Sequence, residues 1–236
     1  MKSGFTLVEL SIVLVIIGLL IGGILVGQTL IESTKINRIL SNWKQYEIMV
    51  NLYKEKFKSL PGDDPYAWQK FGGTTSTGCG TNVSVNTDGM GCNGDGNGMI
   101  NNAAEGWRAW HNLRLAGILS GSKVLTPNSS AGYVKVPKAD DKGNDWWFSS
   151  KGTGNYANYM PVNCTNSLMI FPTSGSGLIV SYSGYYSRAI DAKGDDGKPN
   201  TGLIEGKSNS ATCKTGSDYN SNDIVGCSLT FCLATN

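Results

Sequence analysis

Glu9 is a carboxylate near the start of an otherwise apolar run, residues 5–26, and no basic side chain lies within that run to pair with it. A run of this length can cross a bilayer as a helix. An acid at the centre of such a helix costs roughly 2.5–3.5 kcal/mol on translocon scales, so it calls for a partner. The chain itself offers one nearby candidate, an amine at Phe5, created if the chain is cut after Gly4. Helical spacing sets Phe5 and Glu9 on one face. The amine of one subunit could therefore meet the carboxylate of the next. On that reading the run is an assembly device as well as an anchor.

Two loops could hold a hard cation. Asn93, Asp95 and Asn97 alternate, Gly98 permits a sharp turn, and the Met99 carbonyl can join, which is the spacing of an EF-hand calcium loop. The twelfth position is Ala104, and Glu105 arrives one residue late. A solvated Gly/Asn turn is the alternative. The second loop sets Asp191, Asp195 and Asp196 close together. These carboxylates repel one another unless Lys193 and Lys198, or a bound cation, neutralise them. Calcium, in a structural role, is the only cofactor these patterns suggest.

Six cysteines follow the apolar run: Cys79, Cys92, Cys164, Cys213, Cys227 and Cys232. An even count in a translocated domain reads as a disulfide framework. Cys79–Cys92 would close one Gly-rich loop, and the other four would staple the C-terminal region. Catalytic signals are missing. His111 is the single histidine, no GxSxG or HExxH occurs, and His111 reads as a polar surface or hydrogen-bonding residue. An enzyme is not expected. Net charge is +2 with 16% charged residues and no long run of one sign, so nucleic acid is not expected as a partner. The 31 glycines suit a loop-rich extracellular domain.

These groups need elements to position them. One helix is expected from about Phe5 to Ser59, roughly 80 Å long at 1.5 Å per residue. Its first half is apolar on all sides, with Gly18, Gly22 and Gly23 open to close helix contact, local melting or no special role. Its second half carries a stripe of Ile36, Ile39, Trp43, Tyr46, Val50, Tyr53 and Phe57. Pro61 and Gly62 are expected to stop it. A shorter helix from about Ala103 to Leu119 would start on a capping-box variant, Asn102 with Glu105. Trp107, Trp110 and Leu113 would face its core, with Arg108 and Arg114 outside. Short strands are expected around 133–136, 146–148, 167–171, 178–182 and 228–233, with Tyr185–Ile190 joined to the fourth through a hairpin turn at Ser183-Gly184.

Lys2-Ser3-Gly4, then Phe5-Thr6-Leu7-Val8-Glu9-Leu10 and the apolar stretch, resembles the type IV pilin and type II secretion pseudopilin family. The resemblance implies cleavage after Gly4 by a prepilin peptidase and methylation of the Phe5 amine. It also implies extraction from the inner membrane into a helical filament, with the assembly platform and minor pilins as partners. It places the leader inside and the head outside. Lys35, Arg38 and Lys44 would by count favour the reverse, but the cysteines agree with the resemblance. Major pseudopilins carry a structural calcium in a C-terminal loop, which draws attention to Asp191, Asp195 and Asp196. The stretches at 60–63, 93–96, 107–110 and 195–202 are similar to a bacterial subgroup of pilin-like proteins without a settled function.

The expected fold is α+β: a long N-terminal helix, membrane-spanning in its first half, packed on a small antiparallel sheet. The divisions are 1–4 leader, 5–28 transmembrane and assembly segment, 29–59 amphipathic helix, and 60–236 disulfide-stabilised head. The expected function is a structural subunit of a type IV pilus or a type II secretion pseudopilus, lodged in the inner membrane before assembly and in a periplasmic or cell-surface filament afterwards. The alternative is a minor pilin with an adhesin or DNA-binding role, using aromatics such as Tyr185, Tyr186 and Trp146.

Overall fold

The computed structural model describes residues 6–72, 91–100, 103–120, 136–150, 163–172, 181–207, 212–221 and 223–234. The chain divides into two compact units, Met1–Arg38 and Ile39–Asn236, and the first helix, α1 (Leu7–Phe57), runs through both. In the first unit α1 is long and apolar enough to cross a membrane. Its leucines, valines and isoleucines are exposed, among them Leu7, Val13, Ile17, Leu19 and Leu25. A Cβ at Gly18, Gly22 or Gly23 would meet nothing within 4 Å.

The second unit is built on the remainder of α1. Of the stripe, Ile36 lies in the first unit and is buried; in the second unit Ile39, Trp43, Tyr46, Val50 and Tyr53 are buried, and Phe57 is half-buried. Spacing of three and four keeps these side chains on one face, and that face meets a sheet. The helix stops earlier than Pro61. Lys58 takes a left-handed conformation, φ 59°, and its N–H still bonds the Lys54 carbonyl at 2.8 Å. A left-handed residue directly after the last turn ends a helix. Gly62 (φ 86°) has a different task. A Cβ there would lie 2.3 Å from the Glu105 carbonyl oxygen, so glycine permits the close approach of the next long helix.

After α2 (Ala67–Phe71) comes α3 (Ala103–Leu115), then the strands β1 (Asn144–Ser150), β2 (Asn166–Pro172) and β3 (Tyr182–Ser183). Helix α4 (Gly184–Gly194) precedes β4 (Ile204–Lys207), the short pair β5 (Lys214–Thr215) and β6 (Asp218–Tyr219), and β7 (Val225–Cys232). The main sheet is antiparallel in the order β1-β2-β7-β3, with β4 also on β7. Leu168 and Ile204 both align with Phe231, which makes β7 the central strand.

Aromatics bind helix to sheet. Trp43 lies 5.5 Å from Phe231 and donates its Nε1–H to the Cys232 carbonyl. Tyr46 packs edge-on to Trp110 and Trp146, and Trp110 donates to the Trp146 carbonyl. The Trp43 and Trp110 indoles thus bury a large apolar surface while their N–H groups stay satisfied.

The structure corrects several expectations. Tyr185–Ile190 is helix, not strand, and Ser183-Gly184 is no hairpin turn. Ser183 caps α4, its hydroxyl accepting from the Tyr186 N–H. Ser187, Ile190 and Asp191 turn inward at helical spacing, and a Cβ at Gly184 would strike the Asn220 carbonyl oxygen at 2.4 Å. The turn read at Ser183-Gly184 had suggested a strand, and tertiary packing with a cap made the segment a helix. Trp146, offered to the adhesin alternative, is buried in the strand core; His111 is buried and not on the surface, which leaves its hydrogen-bonding reading; and Arg114 is buried, not outside. All but the last residue of the strand expected at 133–136 and the start of the one at 178–182 lie outside the described residues, as do Asn102 and with it the proposed capping box on Glu105.

Candidate assembly terminus and cation sites

Glu9 stands in the first turn of α1. Its Oε2 accepts two hydrogen bonds, from the Thr6 N–H and the Thr6 hydroxyl, both 2.8 Å. The Glu9 N–H lies 3.3 Å from Thr6 Oγ1 in return, and the Leu10 N–H bonds the Thr6 carbonyl. Thr6 and Glu9 therefore form a reciprocal capping box. The expectation that Phe5 was the sole nearby partner is corrected: Thr6 is another. A carboxylate here also faces the positive end of the helix dipole. The T-x-x-E spacing ahead of an apolar run was the signal for it. Gly4 and Phe5 lie outside the described residues.

The 93–98 loop is organised by a residue far away in sequence. Asp63, buried, accepts from the Gly96 N–H at 2.7 Å and the Asn97 N–H at 3.0 Å on Oδ1, and from the Gly98 N–H at 2.8 Å on Oδ2. Asp63, Asp95 and Glu105 bring carboxylate oxygens within 4.8 Å of one another. Asn93 turns elsewhere and caps α2, its Oδ1 accepting from the Trp68 N–H at 2.8 Å. Asn97 donates from Nδ2 to Asp95 and accepts from the Met99 N–H. From the sheet, Asn166 of β2 pins the loop, donating to the Gly98 carbonyl and accepting from the Ile100 N–H. Burial raises the Asp63 carboxyl to about 6, with the Gly98 and Gly96 amides opposing and Asp95 and Glu105 reinforcing. Two buried acids and a third beside them are a hard, all-oxygen donor set of the kind calcium accepts.

The second loop closes the C-terminus of α4. Asp191, Asp195 and Asp196 again bring carboxylate oxygens within 4.8 Å. Asp191 is buried and accepts from the Tyr219 hydroxyl at 2.7 Å and the Gly197 N–H at 3.0 Å. Asp195 accepts from the Leu203 and Ile204 amides, and Asp196 from the Thr201 hydroxyl and the Lys198 N–H. Burial raises Asp191 to about 7, opposed by Tyr219 and Gly197 and reinforced by Asp196 and Asp195. The donor chemistry fits a hard cation here as well. These carboxylates also organise their own loop through hydrogen bonds.

Cys164 pairs with Cys232 and Cys213 with Cys227. Cys164, Glu205 and Cys232 also cluster, but those two sulfurs are consumed by their mutual bond and offer no thiolate to a metal. Cys92 is disulfide-bonded, and Cys79 lies outside the described residues.

Residues 1–25 match the family described as the prokaryotic N-terminal methylation motif. No curated protein and no solved structure matches the chain. The chain thus carries the signature of type IV pilins and pseudopilins at its N-terminus, joined to an apolar helix and an α+β head. That signature implies processing by a prepilin peptidase, and it belongs to structural proteins.

Proposed function

We propose that this chain is a structural subunit of a helical filament, a type IV pilus or a type II secretion pseudopilus. It is cut after Gly4 and methylated at the Phe5 amine. The observation that carries this reading is the methylation motif at residues 1–25 leading into an exposed apolar helix. Apolar side chains with no cover in the monomer are covered first by lipid and then by neighbouring helices. Glu9 sets the register. In the monomer Thr6 holds one of its oxygens. In the filament the carboxylate receives the Phe5 amine of an adjacent subunit. The assembly platform and minor pilins are the expected partners. Glu9→Ala is the direct test: the variant should insert in the membrane and yield no filaments. Normal filaments from it would defeat the register mechanism.

A structural calcium is the second part of the reading. Asp63, Asp95 and Glu105 would hold it at the 93–98 loop, with Asn97 beside them, or Asp191, Asp195 and Asp196 would hold it at the end of α4. The ion would supply positive charge where burial makes carboxylates costly. Calorimetric titration of the chelator-treated protein with calcium tests this. Binding lost in Asp63→Asn assigns the first loop, and binding lost in Asp195→Asn assigns the second. No heat with either loop intact would remove the ion from the reading.

A further inference from the structure

Lys214 of β5 and Asn200, in the turn after α4, meet in a constrained setting. Lys214 Nζ lies 2.5 Å from Asn200 Oδ1. Asn200 is fixed on its other sides: Nδ2 donates to the Gly216 carbonyl at 3.1 Å, and its main-chain oxygen accepts from Asn163 Nδ2 at 3.2 Å. Lys214 is fixed by the chain around it, through the adjoining Cys213–Cys227 disulfide and the pairing with Tyr219 across β6. A carbonyl bond is about 1.23 Å long, so Asn200 Cγ lies no more than about 3.7 Å from Nζ. Reacting atoms poised for attack sit about 3–3.5 Å apart.

The surroundings favour a reactive amine. Burial, and then the Lys207 ammonium, lower the pKa of Lys214, against the pull of Glu205. An amine held in that way loses its proton more readily than one on an open surface. Glu205 is fully buried, ion-paired with Lys207, and accepts from the Asn163 N–H at 3.0 Å. A nucleophile and an immobilised amide therefore meet, with a buried carboxylate near enough to act electrostatically on the amine.

We propose that Lys214 and Asn200 join in an intramolecular isopeptide bond. The free Nζ amine attacks Asn200 Cγ. The Nζ–Cγ bond forms, the Cγ–Nδ2 bond breaks, and Glu205 carries the proton shed by Nζ to Nδ2, which leaves as ammonia. No oxidant, reductant or added co-reactant is consumed. The link ties the turn after α4 to the β5–β6 hairpin by a bond that thiol reductants cannot open. It reaches beyond the filament reading and does not depend on it, because it concerns the head and not the processed terminus.

Mass spectrometry of the full chain, purified in detergent, decides the matter. After allowance for N-terminal processing and disulfides, the intact mass should fall short of the sequence by one ammonia. A digest should contain a branched peptide joining Lys214 to Asn200. Lys214→Arg and Asn200→Ala should each abolish the branch, and Glu205→Gln should slow its appearance at least tenfold. Linear peptides with unmodified Lys214 and Asn200, from protein whose Cys213–Cys227 disulfide is intact, would overturn the proposal. So would loss of ammonia without the branched peptide. Undiminished cross-linking in Glu205→Gln would overturn the role given to that carboxylate.

Discussion

Lys58 is the clearest case of a residue working against its own preference. Its φ of 59° suits glycine better than a residue with a Cβ. Lys58→Gly should raise stability by about 0.5–1 kcal/mol, once the greater freedom of glycine in the unfolded chain is subtracted. Urea denaturation of the two proteins measures it, and a loss would show that the lysine side chain makes a compensating contact. Asp63 is the opposite case. Its carboxylate receives three backbone amides while buried. In Asp63→Ala the Gly98 amide loses its acceptor, while the Gly96 N–H keeps the Asp63 main-chain carbonyl and the Asn97 N–H keeps Asp95 Oδ1; a group left unsatisfied costs about 1–3 kcal/mol. The same denaturation experiment should show a loss beyond that of a surface substitution, and hydrogen exchange at Gly98 should accelerate more than at Gly96.

At the scale of the element, α1 has two different duties along one uninterrupted helix. Its outer part is held by its indole and phenol side chains. Trp43 packs on Phe231 and Lys44 covers its ring at 3.7 Å, so the side chain is engaged on several sides. Trp43→Ala should cost about 3–5 kcal/mol, read as a lowered denaturation midpoint with an unchanged far-UV helix signal at low denaturant. A fall of under 1 kcal/mol would mean that the sheet closes on the gap. At the other end, Thr6→Ala removes the cap and one partner of Glu9. Caps contribute about 1 kcal/mol, so amide exchange over residues 7–9 should rise several-fold in detergent-solubilised protein. Unaltered exchange there would mean the box does not set the helix start.

At the scale of the molecule, covalent cross-links tie the C-terminal strands together. Cys164–Cys232 spans 68 residues and Cys213–Cys227 spans 14. Chain-entropy arguments give about 4.4 kcal/mol for the longer loop and about 3 kcal/mol for the shorter. Replacing each pair by serine should therefore lower stability in that order. Equal losses in thermal or urea melts would show that local geometry, not loop closure, sets the effect.

The long helix, its apolar start and its buried stripe were legible because they are periodic, and period is a property of neighbouring residues. The processing and methylation motif was legible for the same reason. The capping box at Thr6 and Glu9 is equally local, written in the T-x-x-E spacing. The β1, β2 and β7 segments showed as apolar runs. The 184–190 segment did not show its type, since a short stretch mixing Tyr185, Tyr186, Ser187, Arg188 and Ile190 fits strand or helix until a cap and a neighbour choose.

The sequence by itself therefore determined that the chain begins on a methylation motif, that an apolar helix long enough to cross a membrane follows it, and that the head is cross-linked. Only the tertiary structure decided which carboxylates share a site. Asp63 stands 32 positions before Asp95 and reaches it because Gly62 lets the turn after α1 lie against α3. No local pattern encodes such a meeting, for it depends on where two separate elements come to rest.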